Sequence, residues 1–325
     1  MQSDGQSCTI AVPMPRVIVT RSMPDATIAT LRHGVSDLEI DRNEEDSPLS
    51  REDLTRRLAA CDGLLCTLQD RIDAALLESA QRGGLRVVAN FAVGVDNIDL
   101  DAARRLGIVV TNTPDVLTDA TAEVAVGLIL ACARRFLEGD RMVRAGEFKG
   151  WAPLLHRGHA VYGKTVAILG AGRIGKRVGE TMRLGFGCRV IYHSRSEPVE
   201  LDALLAEADF VSLHCPLTPE TRHLLDRRRL SLLKPTAILV NTARGPVVDE
   251  TALVELLGQR RFAGAGLDVF EREPELADGL AELPNVILLP HIGSATVETR
   301  DAMGRIAAQS IVDVLHGKEP AHRVV

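Results

Sequence analysis

The stretch from Thr165 to His193 restricts the fold more than any other. Thr165–Leu169 is an unbroken apolar run behind the Gly163-Lys164 turn, the pattern of a buried strand. Gly170-Ala171-Gly172-Arg173-Ile174-Gly175 follows at once. Ile174, Val178 and Met182 then recur at helical spacing, so Lys176–Leu184 reads as helix, stopped by Gly185 and Gly187. Arg189–His193 is the next strand. A bare G-x-G-x-x-G says little, but between a strand and a helix it has a physical meaning. Gly170 permits the tight turn, Gly172 lets a pyrophosphate approach the backbone, and Gly175 lets helix and strand pack closely. The helix N-terminus offers N–H groups and a positive dipole end to the phosphates. The reading is a dinucleotide-binding βαβ unit.

The end of the second strand refines it. A carboxylate about 20 residues past the glycines usually holds the adenosine ribose hydroxyls. Here Ser194 stands nineteen residues past Gly175, followed by Arg195, with no acid between Arg189 and Ser196. Ser and Arg accept a 2′-phosphate that an acid would repel. A hydrogen bond to a charged group is worth about 1.5–3 kcal/mol, roughly ten- to a hundred-fold in affinity. NADP(H) is therefore expected as the preferred cofactor, with NAD(H) still usable.

At 325 residues the chain is long enough for two domains, and 46% apolar with 25% charged residues is ordinary globular composition. A net charge of −6 gives no electrostatic case for nucleic acid or anionic membrane. The apolar run Val124–Ala133 is too short to span a bilayer. Met1–Pro15 is polar, has no hydrophobic segment, and reads as a disordered lead rather than a signal peptide. The six cysteines (Cys8, Cys61, Cys66, Cys132, Cys188, Cys215) share no C-x-x-C spacing and several fall in expected core elements. Buried thiols in a reducing compartment, hence the cytoplasm, are the expectation. No His/Cys/Asp cluster has metal-ligand spacing, so no metal is expected.

Strands are expected at Arg16–Thr20, Asp37–Ile40, Gly63–Cys66, Leu85–Phe91 and Ile108–Thr111, with helices at Asp25–His33, Arg51–Ala60 and Ile72–Gln81. That alternation argues a parallel sheet covered by helices. Past Arg195, strands at Phe210–His214, Ala237–Thr242, Gly266–Phe270 and Val286–Leu289 alternate with a helical stripe at Leu201, Leu204, Leu205 and Ala208. Helices are expected at Thr221–Leu233 and Glu250–Leu257. The helix Ala120–Leu137, apolar nearly all round, is expected as an interdomain linker that also packs into a dimer interface. The last helix, Val297–Leu315, is expected to return to the first domain. The fold class is thus α/β with two doubly wound parallel-sheet domains. A flavodoxin-like substrate domain takes residues 1–114 and 297–325, and a Rossmann nucleotide-binding domain takes 115–296. Trp151 stands before the nucleotide unit and fits either core or a substrate-pocket wall.

Three ionisable residues follow strands of the second domain at the edge where α/β sheets bind ligands: Arg244, Glu273 and His291. The Gly-containing turn Ala92–Asp99 stands at a comparable edge of the first domain, where N–H groups could hold a carboxylate, or where it is simply a turn.

On these residues the chain resembles the D-2-hydroxyacid dehydrogenase family, and within it the glyoxylate/hydroxypyruvate and 2-ketogluconate reductases. The matching runs are FAVGVDNI (Phe91–Ile98), Gly170–Gly175, NTARGPVVDE (Asn241–Glu250), GAGLDVFEREP (Gly264–Pro274) and PHIGSAT (Pro290–Thr296). The resemblance implies a small 2-keto acid substrate. Arg244 and the amides near Val93 and Gly94 would hold its carboxylate. Hydride would pass from the nicotinamide to the carbonyl carbon, with His291 as general acid and Glu273 as its partner. It places Arg173 and Ile174 at the pyrophosphate. Thr121, Cys215, Pro216, Thr221, Ala243, Asp268 and Gly293 would surround the adenine and nicotinamide. Compared with the long phosphoglycerate dehydrogenases the chain is expected to lack the regulatory extension, and with the apolar helix Ala120–Leu137 as its interface a homodimer is expected. Phosphoglycerate or D-lactate dehydrogenase and a dinucleotide-sensing corepressor are the competing readings. A formate-type enzyme is disfavoured because those carry Gln where Glu273 stands.

Overall fold

The computed structural model describes residues 14–45, 47–195 and 199–325. Most of the polar lead, with Cys8, lies outside the described residues. The chain divides into two compact units: the segment up to Val116 with Val297–Val325, and Leu117–Thr296. The division falls two residues beyond the expected 114/115.

The first unit alternates β1 (Arg16–Val19), α1 (Asp25–Gly34), β2 (Glu39–Arg42), α2 (Arg51–Leu58), β3 (Gly63–Cys66), α3 (Ala74–Arg82), β4 (Val87–Asn90), α4 (Leu100–Leu106) and β5 (Val109–Thr111). Its strands form one parallel sheet in the order β2-β1-β3-β4-β5, the flavodoxin-like order. Both faces are covered, as the continuous apolar strands require. Ile18, Leu64 and Val88 pack with Leu58, Leu76 and Ala102 on one face. Val17, Leu65 and Val87 pack on the other with Leu31 and with Ala307 and Ile311 of the C-terminal helix, Val297–Leu315. That helix lies close on α1: a Cβ at Gly304 would stand 2.0 Å from Thr27 Oγ1. The helix α4 is absent from the sequence reading although its signals are present. Asp99 accepts the Ala102 N–H at 2.8 Å, and Gly107 ends the helix at φ +68°. The strand expected at Asp37–Ile40 is displaced to Glu39–Arg42, because Asp37 takes a left-handed conformation, φ 56°.

The second unit opens with α5 (Thr118–Arg134) and α6 (Phe136–Arg144). It continues through β6 (Thr165–Leu169), α7 (Arg173–Phe186), β7 (Arg189–His193), α8 (Leu201–Glu207), β8 (Phe210–Leu213) and α9 (Arg227–Leu230). Then come β9 (Ile238–Asn241), α10 (Glu250–Gly258), β10 (Gly264–Leu267) and β11 (Val286–Leu288), and the helix Val297–Leu315 is α11. Its parallel sheet runs β11-β10-β9-β8-β6-β7. Val166 and Ile168 bury against α5 and α7, while Ala167 and Leu169 face the core beneath α8 and α10.

Two expectations are corrected here. The helix expected over Ala120–Leu137 ends at Arg134, because Arg135 is left-handed at φ 56° and a new helix starts at Phe136. The loop returning at 156–159 takes its terminal carbonyls: His159 N–H donates to Ala133 O at 2.7 Å and His156 Nε2 lies 2.8 Å from Arg135 O. The helix expected over Thr221–Leu233 shrinks to Arg227–Leu230. Its first half pairs outward instead, His223 N–H to Pro246 O at 2.8 Å and Leu225 N–H to Val247 O at 3.1 Å.

Candidate active site

The glycine loop has the geometry that its sequence implies. Gly170 sits at φ +109°, and a Cβ there would lie 2.5 Å from His214 C and 2.6 Å from Cys215 N. The turn after β8 therefore packs on the loop. A Cβ at Gly175 would meet Gly170 O at 2.0 Å, so α7 lies directly on the turn. At Gly172 a Cβ would meet nothing within 4 Å. Gly172 begins α7 without a side-chain cap. Open space beside an uncapped helix N-terminus fits a pyrophosphate. Arg173 and Ile174 form the first turn of α7.

Ser194 and Arg195 follow β7. The Arg195 side chain is 87% exposed, and its Nη2 lies 3.8 Å from Glu220 Oε2, a carboxylate also largely open to solvent. Sequence reasoning misses Glu220, since nothing in the strand pattern brings a loop 25 residues later beside Arg195. That loop is held by Thr221, whose Oγ1 donates to Pro216 O at 2.7 Å and accepts Thr218 N–H at 2.8 Å. Burial pushes the Cys215 thiol up to about 11, so it is not a nucleophile. His214 keeps some exposure as a residue, yet its Nδ1 is sealed from solvent without a partner. Its Nε2 lies 2.8 Å from Ser212 Oγ, and burial pulls the ring down to about 3.

Asp268 is buried at the end of β10. It accepts Ile292 N–H at 2.7 Å and Gly293 N–H at 2.8 Å, while Thr121 Oγ1 donates to Gly293 O at 3.1 Å. The structure thus brings Thr121, Asp268 and Gly293 together. Burial raises the Asp268 carboxyl despite those two amides and the nearby His291. The pair of amide bonds fixes the turn that carries His291, itself left-handed at φ 53°. A non-glycine residue held there costs about 1 kcal/mol or more, a kind of strain that collects at functional sites.

Glu273 and His291 meet directly: Nδ1 lies 2.9 Å from Glu273 Oε2, and Glu273 Oε1 accepts Phe270 N–H at 3.1 Å. Burial works against the Glu273 charge. The bond and charge of His291, the Phe270 amide and the Arg244 charge outweigh it and hold the carboxyl below the usual range. The bond to a carboxylate makes Nδ1 the donor and leaves Nε2 as the reactive face. Arg244 follows β9 through Ala243 in a turn built by Asn241, whose Oδ1 accepts Ala243 N–H at 3.0 Å and whose Nδ2 donates to Arg244 O at 2.9 Å. Arg244 Nη1 donates to Ala243 O at 2.8 Å. All of these groups stand at the carboxyl edge of one parallel sheet. Val93 and Gly94 lie in the first unit, where Asn90 Nδ2 donates to Gly94 O at 2.8 Å and Asn112 Nδ2 to Val93 O at 2.8 Å. Their turn is fixed by two asparagines through its carbonyls.

A doubly wound sheet with a glycine-lined phosphate crevice and a histidine–carboxylate pair defines a dinucleotide-dependent oxidoreductase. A family profile described as "D-isomer specific 2-hydroxyacid dehydrogenase, NAD binding domain" matches residues 126–293. The glyoxylate reductase of Thermococcus onnurineus is 46% identical over 321 residues, 94% of each chain. A solved protein of Thermus thermophilus superposes with a TM-score of 0.88 at 46% identity, covering 95% of this chain and 100% of that one. The NADPH-dependent glyoxylate/hydroxypyruvate reductase of Sinorhizobium meliloti, solved with NADP and malonate, gives 0.81 at 32% identity, covering 96% and 97%. The chain belongs to the D-isomer specific 2-hydroxyacid dehydrogenase family, and it is an oxidoreductase with an NAD-binding domain. Among the described residues no helix is long and apolar enough to cross a membrane.

Proposed function

We propose that the protein is an NADPH-preferring reductase of small 2-keto acids, with glyoxylate and hydroxypyruvate first and 2-ketogluconate within reach. The products are D-2-hydroxy acids. The observation that carries this reading is the 2.9 Å bond between His291 and Glu273 on the sheet edge shared with the Gly172 loop. When bound, the nicotinamide supplies the hydride that reaches the carbonyl carbon. Arg244 binds the substrate carboxylate and polarises the carbonyl through its planar fork of donors. His291 gives a proton from Nε2 to the carbonyl oxygen as hydride arrives, so the C=O becomes an alcohol. Glu273 orients the ring and balances its charge. In unit 1 the turn amides of Val93 and Gly94 are proposed as carboxylate-binding groups. Arg195 and Ser194 take the 2′-phosphate, the basis for NADPH over NADH. In this reading unit 1 is the substrate domain and unit 2 the NAD(P)-binding domain.

The same proposal makes the enzyme a cytoplasmic homodimer. The free, high-pKa thiols agree with a reducing compartment. The apolar surface lies on α6 and beyond it, not on α5: Phe136, Val143, Phe148, Trp151, Leu154 and Tyr162 are all exposed, Trp151 by 83%. Sedimentation across concentration tests the dimer, and Trp151 emission should move to the blue as it forms. The function is tested by NADPH and NADH oxidation with glyoxylate, hydroxypyruvate, pyruvate, phosphohydroxypyruvate and 2-ketogluconate. A wild-type enzyme inert on all five overturns it, and a preference for phosphohydroxypyruvate or pyruvate moves it to the phosphoglycerate or D-lactate class.

A further inference from the structure

Behind the Glu273–His291 pair lies a second set of ionisable groups without a part in the chemistry above. Glu250, the first residue of α10, is only 5% exposed. A first-turn acid ordinarily serves its own helix, but Asp249 already caps α10 by accepting Ala252 N–H at 2.9 Å. The Glu250 carboxylate turns to another segment: burial raises its pKa, and the main-chain N–H groups of Glu271 and Ala277 that face it work the other way. Glu271 answers it: its Oε2 accepts Glu250 N–H at 3.3 Å, while Oε1 takes His223 Nε2 at 2.7 Å and Arg222 Nη2 at 3.3 Å. Residues 271 and 277 bracket Glu273. On the opposite side, Gly245, next to Arg244, lies against the Phe270 main chain, where a Cβ would stand 1.9 Å from the carbonyl carbon and oxygen. The segments carrying Arg244 and Glu273 are therefore tied main chain to main chain. A buried carboxylate is costly unless its oxygens are satisfied. Here the main-chain N–H groups that face it belong to the loop that presents Glu273, and the Glu250 N–H is bound back by Glu271 of that loop.

We propose that Glu250 and Glu271 are positioning residues, a reciprocal clamp that fixes the Glu273 loop against the Arg244 loop and so sets the Glu273–His291 contact. The inference rests on the reductase reading given above. A displacement of a few tenths of an ångström at 271–277 lengthens the bond to His291 directly, because Glu273 hangs from the clamped segment. The charged groups facing the pair within unit 2 are Arg244 and Asp268, and those facing Glu250 are Glu271 and Arg272. Asp268 is held separately by Ile292 and Gly293, so loosening the clamp leaves the His291 turn in place. Glu250→Gln keeps the volume but points an NH₂ donor at amide donors.

The test compares wild type, E250Q, E271Q, E273Q and E250Q/E273Q. Both clamp variants should lose roughly 10-fold in kcat/KM, mostly in kcat with KM within about twofold, the pattern of a misplaced reacting group. Their activity should fall away at a lower pH than in wild type. The His291 Nδ1–H proton resonance should move upfield as the bond to Glu273 lengthens. E250Q/E273Q should be no slower than E273Q alone, since the clamp acts only through Glu273. The proposal is overturned if E250Q and E271Q lose thermal stability yet keep the wild-type pH profile and His291 resonance. Should E250Q fail to fold, E271Q, at a side chain that keeps 18% exposure, decides the matter alone. If wild type reduces no keto acid, the reductase reading fails, and the His291 resonance in the variants still decides the clamp.

Discussion

The two units share a strand order but differ at the same place. In each sheet the first strand lies between the second and third, so a crevice opens at the carboxyl ends of β1 and β3 in one unit and of β6 and β8 in the other. In unit 1 side chains fill it. Thr20 Oγ1 donates to Asp70 Oδ2 at 2.5 Å, Asn43 Nδ2 donates to Thr20 O at 3.0 Å, and Asp70 Oδ2 also accepts Thr67 N–H at 2.7 Å. Thr20, Asn43 and Asp70 are all buried. In unit 2 the matching edge is open at Gly172, where a Cβ would meet nothing within 4 Å, and the ionisable residues stand around it rather than inside it. Topology makes a crevice in both sheets, and residue type decides whether the protein or a ligand occupies it.

The sharpest break of this contrast sets His291→Ala against Asp70→Asn. On the proposed reading of His291 as general acid, its loss should lower kcat about 10²- to 10⁴-fold while dinucleotide binding, read by fluorescence titration, is kept. Asp70→Asn should cost about 1–3 kcal/mol of stability through its unsatisfied buried partners and leave kcat within about threefold. Asp70→Asn that silences the enzyme without lowering its melting temperature would show that the filled edge has a role in the reaction.

Gly172→Val tests the cleared edge itself. The new side chain enters open space, so the fold should lose no more than about 1 kcal/mol at this cap position. Coenzyme affinity should fall roughly 100-fold, the loss of one or two charged hydrogen bonds. Gly175→Val should instead destabilise the fold, because its Cβ meets Gly170 O at 2.0 Å. Equal melting temperatures for the two variants would remove the distinction between a packing glycine and a ligand-approach glycine.

Much of this was legible in the sequence because it is local. Thr165–Leu169 and Arg189–His193 were readable to the residue, since apolar runs bounded by glycine leave little freedom. Arg244, Glu273 and His291 were readable because each follows a strand in a parallel sheet, and such sheets gather their carboxyl ends. What was lost depends on distant partners. The break at Arg135 is made by a loop 21 residues later, and the segment from Thr221 abandons helix for the main chain at 246–248. The Glu250–Glu271 clamp was invisible for the same reason: DE before an apolar stripe reads as a helix start, and only coordinates show which acid caps and which reaches away.

The unit 2 edge also holds a sealed imidazole, that of His214. Burial draws His214 down to about 3 from an unfolded value near 6.5. The unfolded chain therefore takes up the proton first as pH falls. Stability from this group is complete above about pH 6.5 and is lost as the pH falls toward 3, by about 1 kcal/mol per pH unit. His214→Gln should flatten the fall in urea midpoint between pH 6 and 4 relative to wild type. Parallel slopes for the two proteins would show that the ring is open to solvent when folded.

The smallest effect concerns how the cleared edge chooses between two coenzymes. Arg195 and Glu220 stand 3.8 Å apart, both largely exposed, so their attraction is weak and screened by salt. On the proposed reading a 2′-phosphate would compete with Glu220 for the same guanidinium and be repelled by the carboxylate. Glu220→Gln should therefore raise kcat/KM for NADPH about two- to threefold and leave NADH unchanged, with the gain shrinking as salt is added. Arg195→Ala should lower the NADPH/NADH ratio roughly ten-fold or more, and in that background Glu220→Gln should still favour NADPH slightly, through lost repulsion alone. A rise with NADH equal to that with NADPH would place Glu220 in general coenzyme binding and leave discrimination to Ser194 and Arg195.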